Sequence, residues 1–396
     1  MGNIQSVAFH HKKKVYPSSV QFGLNQVKQV QKFHQSFPEY HPTPLVQLHH
    51  LAKKLNVAGI YVKDESYRFN LNAFKVLGGS YAIGRYIQEH LNLQPEEFNY
   101  DTLINYSTNE SFNRMTFITA TDGNHGRGVA WTANRLKQHS VVYMPKGSAQ
   151  ERLNNIKALG SDASITEYNY DDAVRLANKH AKENNWIIVQ DTAWEGYEEI
   201  PTWIMQGYTT MALEIVEQLN QIKPTHLFLQ AGVGALAGAV TGFIADYYKE
   251  ERPIITIVEP DKADCIYKTA KANDGAIHTV TGDLDTIMAG LACGEPCTIG
   301  WNVLKDHADF FISMSDDIAE LGMRTLGIPE KEDPLIISGE SGAATMGFVA
   351  ELLTNPQHSQ LKDQLQITKD SIILCISTEG DTDKENYKKI LSSKGL

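Results

Sequence analysis

His226-Leu227-Phe228-Leu229-Gln230-Ala231-Gly232-Val233-Gly234-Ala235-Leu236-Ala237-Gly238 is the stretch from which the rest of the chain is read. Its first five residues form a mostly apolar run of strand length, as expected of a strand buried on both faces. The run turns through Gly232, Gly234 and Gly238 into a helical pattern. Glycines let the backbone approach an anion, and a helix start offers unpaired N–H groups and a positive dipole end. A phosphate therefore belongs on Gly232, Val233, Gly234, Ala235 and Leu236. The bland alternative is a Gly-rich strand–helix turn that holds nothing.

What would carry that phosphate stays open on this motif alone. The spacing is also compatible with a loose dinucleotide fingerprint, and Glu259 follows Gly238 by 21 residues. An acid at that place would bind a ribose. An NAD(P)-dependent oxidoreductase is thus a rival reading. Against it, the loop lies past the middle of the chain, and the strand–helix units before it need another explanation.

Working outward, short apolar runs alternate with helix-period segments. The expected strands are Thr116–Ala120, Val141–Met144, Trp186–Gln190, His226–Gln230, Ile254–Val258 and Ile372–Ile376. Ile83, Tyr86, Ile87 and His90 share one helix face, as do Val129, Ala133 and Leu136. Asp171 and Asp172 open a further helix that runs through Leu176 and Ala177, since acidic residues favour the positive end of the dipole. Such alternation predicts an α/β fold, with mostly parallel sheets covered by helices. No repeat, low-complexity tract or Pro/Gly/Ser-rich linker interrupts it, which favours two closely packed α/β domains.

Composition excludes several classes. The 396 residues are 42% apolar and 21% charged, ordinary for a globular chain. The net charge of −11 argues against a nucleic-acid partner. No apolar run reaches the ~18 residues of a membrane span, and no signal-peptide pattern opens the chain. A cytoplasmic protein is expected. Gly2-Asn3-Ile4-Gln5-Ser6 formally fits an acylation pattern, with Lys12, Lys13 and Lys14 as a basic second signal. The expectation is a solvated arm and no membrane partner. Four cysteines do not make a disulfide framework, and Cys293 and Cys297 lack partners at zinc spacing, so no metal site is expected. A Cys265–Cys293 bond is left undecided.

Two further segments carry chemistry. In Ser66-Tyr67-Arg68-Phe69-Asn70-Leu71-Asn72-Ala73-Phe74-Lys75-Val76-Leu77-Gly78-Gly79-Ser80, Lys75 stands between apolar residues at the head of an amphipathic helix. Desolvation there would lower its pKa and free the amine as a nucleophile. In Thr119-Ala120-Thr121-Asp122-Gly123-Asn124-His125-Gly126-Arg127-Gly128, three glycines flank an asparagine between a strand and a helix. Backbone N–H groups and the Asn124 amide can converge there on one small ligand.

In these segments the chain resembles pyridoxal-phosphate enzymes of the tryptophan-synthase β fold (fold type II), and within them the diaminopropionate ammonia-lyase family. The segments that carry the resemblance are 69–77, 121–131, 189–208 and 379–383. It extends over nearly the whole length.

The resemblance implies a fold of two open, twisted, mostly parallel sheets with flanking helices. Residues 1–88 and 190–396 would form the large cofactor domain, and 89–189 the small one, which closes on the substrate. It implies a homodimer. It implies pyridoxal 5′-phosphate in Schiff-base linkage to Lys75, with its phosphate on the Gly232–Leu236 loop and its ring hydroxyl on Asn124. The implied reaction is α,β-elimination of ammonia from D- and L-2,3-diaminopropionate, giving pyruvate and two ammonia. A serine/threonine dehydratase-type lyase is the near alternative. D- and L-substrates present their Cα protons on opposite faces, and the two bases that this requires map onto Asp122 for the D-isomer and Asp191 for the L-isomer. As a lone residue Asp122 would also serve as a helix cap. Ser377 and Thr378 are the candidates for the pyridine nitrogen, with Glu340 and Ser341 as rivals. His125 is expected to pack or bond locally.

Overall fold

The computed structural model describes residues 2–9, 20–109, 113–121 and 123–393. The basic run Lys12–Lys14 and the proposed base Asp122 lie outside the described residues. Among them are eleven strands: β1 (Ile4–Ala8), β2 (Leu45–Gln47), β3 (Gly59–Asp64), β4 (Thr116–Ala120), β5 (His139–Met144), β6 (Asp162–Ile165), β7 (Ile187–Ile188), β8 (His226–Gln230), β9 (Ile254–Pro260), β10 (Phe310–Met314) and β11 (Ile372–Ser377). They form two sheets, with strand orders β1-β10-β9-β8-β11-β3-β2 and β6-β5-β4-β7. The smaller sheet is all parallel. In the larger one only the edge strands β1 and β2 run antiparallel. The expected α/β architecture with mostly parallel sheets is what the chain adopts.

Three expectations need correction. The N-terminal arm is not wholly solvated. Ile4–Ala8 pairs with β10, Ile4 opposite Met314 and Ala8 opposite Phe310. An open sheet edge offers a row of unpaired backbone groups, and Ile4 and Val7 have apolar clusters to pack against. The strand expected at Trp186–Gln190 is only Ile187–Ile188, because Val189 still donates to Ile118 O (2.8 Å) but Gln190 turns its side chain to β4 instead. Strand β3 was not expected at all. It carries Lys63 and Asp64 in a fully buried position.

Those charges have partners. Lys63 Nζ donates to Glu214 Oε2 (2.7 Å), Thr43 O (2.7 Å) and Gln218 Oε1 (2.8 Å). Arg68, with no exposed surface, donates to both oxygens of Glu65 and both of Glu214 at 2.7–2.9 Å. Two cations and two anions thus cancel away from water, the condition under which buried charges persist. This cluster anchors the segment that leads to Lys75. The backbone there takes left-handed turns at Phe69 (φ 48°), Asn70 (φ 58°) and Asn72 (φ 57°).

The helix Val76–His90 then starts at Lys75. It is wedged between the helices Asn124–Arg135 and Glu199–Leu219. A Cβ on Gly128 would lie 2.8 Å from Val76 Cα, and one on Gly207 would lie 2.3 Å from Leu77 O. Glycine is required at both places because backbone meets backbone. Gly128 therefore serves helix packing, where the sequence suggested a ligand role.

Candidate active site

A cleft lies between residues that follow strands of the smaller sheet, such as Thr121 and Asn124, and residues that follow strands of the larger one, such as Gly232 and Thr378. It gathers most of the expected site residues. Lys75, Asn124, Asp191, Gly232, Val233, Gly234, Ala235, Leu236 and Thr378 all line it. Ser377 does not. Its hydroxyl is turned to Ser338 Oγ (2.7 Å), because successive residues of β11 point to opposite faces. Glu340 is likewise turned away and bonded to Asn386, whereas Ser341 lines the cleft. Asp122 lies outside the described residues.

Lys75 is not the isolated, desolvated amine that its apolar neighbours suggest. Its Nζ is ion-paired with Asp191 Oδ2, and its side chain keeps 18% exposure against 4% for Asp191. Burial pushes the Asp191 carboxyl up, but the Lys75 ammonium, with help from His125, more than offsets this and holds it well below the usual carboxylate range. The carboxylate is thus ionised beside an amine at the cleft wall. Tyr170 OH donates to the other oxygen at 3.2 Å.

Gln190 holds this corner together. Its amide accepts from Ala120 N (2.9 Å) and donates to Ala120 O (2.9 Å), imitating a strand partner for β4. It also donates to Tyr170 OH (2.9 Å). The same nitrogen reaches Asp191 Oδ1 at 3.3 Å, so Tyr170 and the Asp191 carboxylate are both held by one buried amide. His125 is 1% exposed, with Nε2 2.7 Å from Val189 O, a local packing role as expected.

The phosphate loop follows β8. Gly234 takes φ +89°, which glycine alone adopts freely, and the helix Ala235–Tyr248 begins there with no side-chain cap. A Cβ on Gly232 would lie 3.2 Å from Gly290 O and Cys293 Sγ. Backbone N–H groups at an uncapped helix start, in a cleft that also presents an amine nucleophile, are the donors that a phosphate-bearing aldehyde requires. Pyridoxal phosphate fits this set.

Glu259 removes the nicotinamide rival. Its carboxyl is fully buried, accepting from Ile266 N (2.9 Å) and Tyr267 N (2.6 Å) at the start of the helix Cys265–Ala272. It caps a helix and cannot reach a ribose. The four cysteines are buried thiols, and the structure has no Cys265–Cys293 bond. Among the described residues no cluster of metal-ligating side chains occurs, and no helix is long and apolar enough to cross a membrane.

Sequence reading missed Tyr170, Gln190, Gln230 and Glu379. Gln230 Nε2 donates to Ile376 O (3.0 Å), Ser341 O (3.0 Å) and Thr378 Oγ1 (3.1 Å), tying together β8, β11 and the helix Glu340–Thr354. Its only signal was a polar residue at the end of a buried strand. Glu379 lay in a segment that carried the family resemblance, but with no role attached.

Comparison with known proteins agrees with this geometry. Residues 37–376 match the family described as pyridoxal-phosphate dependent enzyme. The diaminopropionate ammonia-lyase of Escherichia coli K12 is 52% identical over 372 residues, covering 93% of this chain and 92% of the relative. The diaminopropionate ammonia-lyase of Salmonella typhimurium LT2 is 47% identical, covering 97% and 96%. The solved structure of the Escherichia coli diaminopropionate ammonia lyase in complex with D-serine superposes with a TM-score of 0.92 at 48% identity, covering 99% of this chain and 97% of that one. By cofactor site, fold and sequence, the chain belongs to the pyridoxal-phosphate-dependent enzymes and, within them, to the diaminopropionate ammonia-lyase family.

Proposed function

We propose that this chain is a carbon–nitrogen lyase that eliminates ammonia from D- and L-2,3-diaminopropionate, giving pyruvate and two ammonia. The observation that carries this reading is the ionised Asp191 carboxylate against the Lys75 amine, on the wall of a cleft floored by an uncapped helix start. Pyridoxal phosphate, when bound, supplies the electron sink for negative charge at Cα. The chain supplies attachment, orientation and proton transfer. Lys75 carries the cofactor through its amine. The N–H groups of the Gly232–Leu236 loop hold the phosphate, and Asn124 holds the ring hydroxyl. Thr378 is assigned to the pyridine nitrogen. Asp191 removes the Cα proton of the L-isomer, and Asp122 that of the D-isomer. Tyr170 and Gln190 keep the Asp191 carboxylate aimed.

The same reading divides the chain into a large unit of 1–88 and 190–396 and a small unit of 89–189. The four-stranded sheet, which spans 116–188, supports that division. A cytoplasmic homodimer acting on a small amino acid completes the proposal. The test is pyruvate release from 2,3-diaminopropionate and from serine by the purified protein. Faster release from diaminopropionate is expected. Turnover of serine or threonine in preference would replace this reading with that of a dehydratase.

A further inference from the structure

The segment Thr378–Thr382, just past β11, touches several walls of the cleft. Through its backbone it meets the lysine-bearing segment. Phe74 N donates to Thr378 O (3.1 Å), Gly380 N donates to Asn72 O (3.0 Å), and Ala73 forms an isolated bridge with Glu379. Through its side chains it meets the smaller unit. Glu379 is 2% exposed and accepts a hydrogen bond from Asn124 Nδ2. Its carboxylate also accepts from Ser341 N (3.3 Å), at the start of the helix Glu340–Thr354, and from Thr382 Oγ1 (3.3 Å). Beside it, Arg152 Nη2 donates to Thr382 Oγ1 (3.3 Å). Asn124 and Arg152 sit on helices that flank the four-stranded sheet, whereas Glu379 and Thr382 follow the last strand of the seven-stranded one. Two side-chain bonds therefore cross the cleft at one point.

We propose that Glu379 is a positioning residue that latches the Asn124 amide to the large sheet. Docking of the smaller unit and the aim of Asn124 into the cleft then become one event. The chemistry is specific. A carboxylate only accepts hydrogen bonds, so it selects the nitrogen end of the Asn124 amide and fixes an orientation that is otherwise two-fold ambiguous. One N–H is used by Glu379, and the other is left to face the ring oxygen. The helix start at Ser341 stabilises the anion that does this. The proposal rests on the reading of Asn124 as the partner of that ring oxygen.

The test uses Glu379→Gln, Asn124→Ala and the double variant, with two readouts: cofactor retention by absorbance titration, and amide hydrogen exchange over 125–128 in the holoenzyme. Asn124 donates to one carboxylate oxygen and Ser341 N to the other, and a glutamine accepts at only one end, so Glu379→Gln is expected to weaken cofactor retention about tenfold, the effect of one charge-assisted hydrogen bond. Exchange over 125–128 should quicken. In the Asn124→Ala background the same change should weaken retention less than about twofold, since coupled residues do not add. Unchanged exchange in Glu379→Gln, or losses that multiply in the double variant, would overturn the latch. Unchanged retention in Asn124→Ala alone would refute the reading of Asn124 and leave the exchange result to decide the latch. If Glu379→Gln does not fold, Glu379→Asp keeps the charge but withdraws it from Asn124, and full retention in that variant overturns the proposal.

Discussion

Asp191→Asn separates the two isomers. The carboxylate is buried, ion-paired with Lys75, and held by Tyr170 OH at 3.2 Å. An asparagine keeps the shape and can still accept from Tyr170, so the fold should persist. What disappears is the base. A positioned general base contributes roughly 10²–10⁴ in rate. At about 1.36 kcal/mol per tenfold, that is about 3–5 kcal/mol of barrier. The kcat/KM for L-2,3-diaminopropionate should fall by that factor, while the D-isomer loses less than about tenfold. Pyruvate formation, followed for each isomer in a coupled assay at equal cofactor content, measures both. Lys75 loses its counter-ion in this variant, so cofactor content must be read alongside. Equal losses on the two isomers would refute the assignment of one base to each face.

Two further outcomes follow from the fold. Gly207→Ala sets a Cβ 2.3 Å from Leu77 O and 2.8 Å from Gly78 Cα, against the helix that begins at Lys75. Overpacking of this kind costs about 1–3 kcal/mol, so urea unfolding should shift to lower concentration and cofactor content should drop, whereas an unchanged midpoint would contradict the packing described. His34 gives a pH dependence. Burial, then the Arg68 charge, lowers its pKa from 6.5 to about 3, against a weaker pull upward from the Leu77 carbonyl. The unfolded chain takes up this proton near pH 6.5 and the folded one only near 3. Its contribution is therefore complete above pH 6.5 and is lost as pH falls, by up to about 1.4 kcal/mol per pH unit. Urea unfolding at pH 7.5 and 5.0 should differ by about 2 kcal/mol from this histidine, and His34→Asn should flatten the difference; an equal slope in the variant would sink the idea.

The sequence reveals the fold class through buried strands that follow the rules of an interior. β4 and β8 were expected at the residues where they occur, because each is a short apolar run bounded by turn residues. β3 was hidden because Lys63 and Asp64 look like solvent residues, and the partners that make Lys63 buriable, Glu214 and Gln218, are distant in sequence. β1 was hidden because an edge strand depends on the strand it joins, here β10, more than 300 residues away. The site divides the same way. Residues that touch the cleft through backbone or through a strong local motif, Gly232–Leu236 and Asn124, were legible. Gln190, Gln230 and Glu379 act on other residues across long sequence separations, and such roles have no local pattern. Ser377 and Thr378 could not be separated from sequence, since choosing between them requires knowing which face of β11 meets the cleft. Glu259 misled because an acid at the end of a strand can cap the next helix as well as bind a sugar.

The central claim is that the Lys75 amine carries the cofactor. Reduction of the holoenzyme with borohydride, followed by digestion and mass mapping, tests it directly. Reduction should abolish the visible absorption of the bound cofactor and leave one modified peptide, bearing the reduced pyridoxyl group on Lys75. A label on any other lysine, or an unlabelled protein that still releases pyruvate, would contradict it.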